Sequence, residues 1–222
     1  MHSPLYWLLA AVGLSTLPQA EANSLPSSHV RWEQEIQAFE QQDKLSPPRL
    51  GAVLFTGSSS IRMWSHLAAS FPGKPVFGRG FGGSHLSDLN AYAHRMVLPY
   101  SPRHVLIYEG DNDLAAGKSP EQILKDFEAF VGILRSVLPR TRISFIAIKP
   151  SKARWALTAQ IRKTNDYIRS HASRNRGIDF IDIFTPMLSK SGQVREELFL
   201  EDGLHLNPQG YAVWTSVIRR YL

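Results

Sequence analysis

The sequence predicts an α/β fold, a parallel sheet covered by helices on both faces, and three observations carry that expectation. Five short apolar runs, at residues 52–56, 76–77, 104–108, 143–148 and 178–183, alternate with helical patterns. The first, third and fourth runs are apolar along most of their length rather than at every second residue, as strands buried on both faces require. Polar or glycine-rich segments follow the first three runs, at the strand ends where open α/β sheets bind ligands.

Before the first run, residues 30–44 read as a surface helix on the pattern Val30, Trp32, Ile36, Phe39, stopped by Ser46-Pro47-Pro48. The first strand leads through Gly57-Ser58-Ser59-Ser60 into an expected helix over residues 61–71, with Pro72-Gly73 as a turn. After the second strand comes an expected loop, 78–84, then a broken helical stretch, 86–98. The third strand runs into a loop, 109–117. Ser119-Pro120-Glu121-Gln122 then supplies an N-cap, a proline at the first helical position and a capping-box acceptor. Ile123, Phe127, Phe130, Val131, Leu134 and Val137 form one apolar face of that helix. A helix over 156–173 precedes the fifth strand, and Asn207-Pro208 caps a last amphipathic helix.

The 222 residues suit one main domain. Residues 1–22 read as a secretory signal. The apolar stretch from Leu5 to Leu14 is too short to span a bilayer, and Ala20-Glu21-Ala22 gives a small-x-small cleavage pattern. Residues 23–49 then form a linker and helix, and 50–222 the main domain. The expected product is exported, periplasmic or secreted, with no stable membrane insertion once the signal is removed. The absence of cysteine excludes a disulfide scaffold, a thiolate metal site and a cysteine nucleophile. The net charge of +6 comes from scattered Lys and Arg, and no nucleic-acid-binding motif accompanies it. Arg79, Lys149 and Arg154 stand apart because they fall in expected site loops.

Ser59 lies where a buried strand turns onto a helix N-terminus, whose free N–H groups favour developing negative charge. A serine hydroxyl needs a base, the base an orienting carboxylate, and the oxyanion needs donors. Asp202 and His205, three residues apart, can supply the carboxylate and the imidazole. Taken alone, the pair reads rather as an Asx turn or helix cap beside a loop histidine. Asn112, in Gly110-Asp111-Asn112-Asp113, can aim an amide N–H at an oxyanion, or be part of a plain turn. Residues 78–83 match G-x-G-x-x-G, but on the second strand and without the acidic residue about 20 positions on, so no dinucleotide is expected. The loop is instead expected to let backbone N–H groups approach a substrate oxygen. No spacing implies a metal, and no cofactor is expected.

These segments, in this order, resemble the SGNH (GDSL-like) hydrolase family, in a Gly-Ser-Ser-Ser variant near platelet-activating-factor acetylhydrolase-like members. Gly57-Ser58-Ser59 stands for the family's Gly-Asp-Ser, Gly83-Ser84 for its second block, residues 110–113 for Gly-x-Asn-Asp, and Asp202 to His205 for Asp-x-x-His. The resemblance implies a flavodoxin-like three-layer α/β/α sandwich with five parallel strands in the order 2-1-3-4-5. It implies Ser59 as nucleophile with Asp202 and His205, and an oxyanion hole of the Ser59 and Gly83 N–H groups and the Asn112 amide. It implies hydrolysis of a small-molecule or glycan ester, or a thioester, without a cofactor. Arg79, Arg154 and Trp155 are the expected substrate-binding residues. Ser58 replaces the usual aspartate, which opens the choice of nucleophile among Ser58, Ser59 and Ser60. Gly78 replaces an Asn often found before Arg-Gly.

Overall fold

The computed structural model describes residues 29–222. The expected signal lies outside the described residues. Five strands, β1 (Val53–Gly57), β2 (Val76–Gly80), β3 (His104–Tyr108), β4 (Arg142–Ile146) and β5 (Ile178–Ile181), form one all-parallel sheet in the order β2-β1-β3-β4-β5. Every residue of β1 and β3, the two inner strands beside the site, is buried, as the unbroken apolar runs require. The flanking helices are α1 (Glu33–Leu45), α2 (Ser59–Arg62), α3 (Leu67–Ser70), α4 (Leu86–Met96), α5 (Asp111–Ala115), α6 (Pro120–Val137), α7 (Thr158–Arg174) and α8 (Pro208–Ile218).

The helix expected over 61–71 is split into α2 and α3. Trp64 causes the break by turning inward. Its ring stacks on Tyr211 at 4.9 Å, meets Phe55, Phe71 and Trp214 within about 6 Å, and donates from its indole to Ser70 Oγ. Tyr211 also donates to Ser60 O at 2.9 Å. The same aromatic cluster therefore fixes α8 against the turn that carries Ser59.

β2 is longer than the two residues expected and takes in Gly78, Arg79 and Gly80. Its glycines answer packing rather than a substrate oxygen. A Cβ on Gly80 would stand 2.4 Å from Arg62 N, so only glycine lets α2 lie this close on the strand. Gly57 is glycine for a similar reason, with φ +127° and Tyr108 O 2.0 Å from where its Cβ would be. Gly78, in place of the family's Asn, is thus a strand residue.

Other departures are local. Residues 86–96 form an unbroken helix, α4, followed by a 3-10 turn. A short helix, α5, occupies the expected loop after β3. Ser119 caps α6 by accepting from Gln122 N, but the Gln122 side chain turns to Asp126 instead of closing the box. Val137, at the end of α6, is exposed, while Ile123, Phe127, Phe130 and Leu134 are buried. The N-terminal segment packs through the buried Trp32 and Ile36, and α1 is tied to α4 by Arg95 with Glu33 and Glu40 and to β2 by Asp43 with Arg79, Asp43 also accepting from Tyr100 OH.

Candidate active site

Ser59 is the first residue of α2, directly past the carboxyl end of β1. At that position its backbone N–H has no acceptor within the helix. Its hydroxyl lies 3.1 Å from His205 Nε2. Ser58 and Ser60 are both buried, and Ser60 Oγ has no hydrogen-bond partner, so of the three serines it is Ser59 that meets the imidazole.

His205 is held from behind by Asp202, whose Oδ2 lies 2.6 Å from Nδ1. Asp202 Oδ1 accepts from the backbone N–H of Leu204 and of His205. The Asx turn and the imidazole-orienting carboxylate, alternatives in the sequence, are one structure here. The hydrogen bond to His205 and the two backbone N–H groups hold the Asp202 carboxyl down at about 2. The turn is anchored on both sides: Leu200 N donates to His205 O, and Ala153 N donates to Gly203 O. Two residues beyond His205, Asn207 caps α8 by accepting from Gln209 N and Gly210 N.

Gly83 and Asn112 come from the ends of β2 and β3. Trp32 donates its indole N–H to Gly82 O at 3.0 Å, so the region before α1 helps to fix the glycine turn. Ser84 Oγ lies 2.9 Å from Phe81 O and 2.6 Å from Glu109 Oε1. A hydroxyl has one proton, and a carbonyl cannot donate. With that proton on Phe81 O, the short contact to Glu109 needs a proton from the carboxyl. Burial, and then the Asp113 charge, push the Glu109 carboxyl well up, which favours that arrangement. Asn112 Nδ2 donates to Ser84 O at 3.0 Å, which joins the β3 turn to the glycine turn.

Next to Asn112 lies a charged group. Asp111 is buried and meets Lys149 Nζ at 2.6 Å and Arg154 Nη1 at 2.5 Å, and accepts from Tyr108 OH. Burial acts to raise the Asp111 carboxyl, but Lys149 and Arg154 outweigh it and leave it below the usual carboxylate range.

Of the expected substrate-binding residues, Arg79 is displaced. It is buried in β2 rather than set in a loop, with its guanidinium paired to Asp43, donating to Tyr100 OH and Gly78 O, and lying over the rings of Phe39, Phe77 and Tyr100. Arg154 does reach the site but is engaged by Asn112 and Asp111. Trp155 begins a half-buried 3-10 turn. Sequence reasoning gave no role to Ser84 or to the pairing of Asp111 with Lys149. The one signal for the pairing was the position of Lys149 in an expected site loop, directly past the fourth apolar run. Among the described residues, no cluster of His, Cys, Asp or Glu is placed to hold a metal ion, and no helix is long and apolar enough to cross a membrane.

The family model for GDSL-like lipase/acylhydrolase proteins matches residues 50–213, well over half of the chain and all of the residues just described apart from Trp32 and those of α1. The chain belongs to this family. As a GDSL-like acylhydrolase it shares its fold with several solved structures. One is a Streptococcus pneumonia protein provisionally named a platelet activating factor (20% identity, 87% of this chain and 94% of that chain, TM-score 0.76). Another is a GDSL-like lipase from Bacteroides thetaiotaomicron (20% identity, 87% and 96%, TM-score 0.67). A third is a carbohydrate esterase family 3 protein from Talaromyces cellulolyticus (17% identity, 78% and 96%, TM-score 0.62). No curated protein matches the chain.

Proposed function

We propose that this GDSL-like hydrolase is a serine esterase that cleaves carboxylic esters through an acyl-enzyme, with short acyl or acetyl groups favoured. The observation that carries the reading is the Ser59–His205–Asp202 chain of hydrogen bonds at the mouth of the sheet. In the first step Ser59 Oγ attacks the acyl carbon while His205 Nε2 takes its proton, and the carbonyl electron pair moves onto oxygen. The Ser59 and Gly83 N–H groups and the free N–H of Asn112 receive that oxyanion. Collapse expels the alcohol, which takes the proton from His205. Water, deprotonated by the same imidazole, then releases the acid and restores Ser59.

A second reading, a thioesterase or lysophospholipase with longer acyl chains, would use the same Ser59–His205–Asp202 chain and differ only in the acyl and leaving groups. The Talaromyces neighbour is named a carbohydrate esterase, which supports a glycan ester as a further candidate substrate, and deacetylation of a carbohydrate such as peptidoglycan is the form we propose for it. Turnover of p-nitrophenyl esters from acetyl to palmitoyl, beside an acetylated glycan, separates these readings. No turnover of any of them would favour a silent carbohydrate- or envelope-binding domain instead. We also propose export, with the mature chain beginning near Asn23, which N-terminal sequencing of exported protein tests; retention of residues 1–22 would contradict it.

A further inference from the structure

The geometry points to Arg154 as a positioning residue for the oxyanion hole rather than a contact to substrate. This assignment rests on the serine esterase reading above.

An Asn amide offers two N–H donors on nitrogen and an acceptor oxygen, and its two ends can exchange by a half-turn. Asn112 is surrounded so that only one orientation satisfies its neighbours. Nδ2 faces Ser84 O at 3.0 Å, which can only accept. Oδ1 faces Arg154 Nη2 at 3.0 Å, which can only donate. A half-turn would set the amide N–H groups against the guanidinium and its oxygen against a carbonyl oxygen. The observed orientation leaves one Nδ2–H free for the acyl oxygen.

Arg154 in turn has little freedom. Its Nη1 meets Asp111 Oδ1 at 2.5 Å, its side chain is 18% exposed, and the other Asp111 oxygen is held by Lys149 and Tyr108. Two cations against one carboxylate leave a net positive charge beside the amide. A guanidinium on Oδ1 also polarises the amide, so its free N–H becomes a better donor as negative charge develops on the acyl oxygen. The loop carrying Arg154 is tied to the Asp202–His205 turn through Ala153 N and Gly203 O, so base and oxyanion donor share one support.

The test is a double-mutant cycle on p-nitrophenyl acetate and p-nitrophenyl butyrate, with Arg154→Gln, Arg154→Lys and Asn112→Ala. Loss of one oxyanion donor costs about 10²–10³ in kcat. Arg154→Gln should lose about 10- to 100-fold in kcat on both esters, a part of that, with KM changed little. In the Asn112→Ala background the same change should have almost no effect. Arg154→Lys, which retains the charge, should recover part of the rate. A rise in KM that depends on the ester, or a full loss in kcat persisting without Asn112, would overturn the assignment. A crystal structure of the unsubstituted enzyme with a serine-bound phosphonate is independent of how the variants fold. It should show Asn112 Nδ2 on the phosphonyl oxygen and Oδ1 still on Arg154. A guanidinium turned onto the phosphonate would overturn the assignment. Absence of turnover by the unsubstituted enzyme would instead overturn the esterase reading itself.

Discussion

Asp202 binds His205 at two points, with Oδ2 at 2.6 Å from the imidazole Nδ1 and Oδ1 accepting from the backbone N–H of the same residue at 2.9 Å. One carboxylate therefore shapes the turn and orients the ring. Asp202→Asn cannot do both. If its oxygen takes the backbone N–H groups, its NH₂ faces Nδ1, and the imidazole proton moves to Nε2, the atom that must accept from Ser59. The variant should fold, because Asn is nearly isosteric. Its kcat should fall by about 10³–10⁴, the scale of a wrong tautomer in such triads. Circular dichroism and p-nitrophenyl acetate kinetics check both halves.

The pH profile follows from the same pair. Asp202 is held at about 2, so it stays ionised across the usual assay range. The acid limb of kcat/KM should therefore be one proton step with unit slope, with no contribution from Asp202. No acid limb between pH 4 and 9 on a chemistry-limited ester would remove the imidazole from the mechanism, and a second acid step would contradict the ionised Asp202.

Glu109 gives a stability prediction of opposite sign to that of most carboxylates. Its folded pKa is raised, by burial first and by Asp113 second. Above the ordinary glutamate value of 4.5 the unfolded chain releases a proton that the folded chain keeps, so ionisation favours unfolding and this residue costs stability as pH rises. Glu109→Gln removes that cost and retains a donor for Ser84 Oγ. The variant should melt above the unsubstituted protein at pH 8, with the gap closing toward pH 4.5. A gap independent of pH would show Glu109 ionised in the fold.

How much could be read in advance depended on the range of the forces involved. Ser59 follows a buried run and Asp202 and His205 are three residues apart, but that spacing alone suits a plain turn, and the order of the blocks along the chain is what singled them out. The order of the strands needed the family resemblance, because apolar runs do not say which neighbour they choose. Arg79 was misplaced because its environment is non-local: Asp43, from a helix 36 residues earlier, and Tyr100 draw it into the sheet layer. Trp64 broke an expected helix through rings at 211 and 214. Likewise, Arg154 looked like a substrate residue until its two partners, both at the end of another strand, came into view.

The central claim is that Ser59, and not its neighbours, attacks the acyl group. Labelling the active protein with a fluorophosphonate, followed by intact mass and peptide mapping, tests it most directly. One phosphonyl adduct on Ser59, absent from Ser59→Ala and slowed by loss of His205, is the expected result. An adduct on Ser58 or Ser60, or turnover of esters by a protein that never takes the label, would contradict the account.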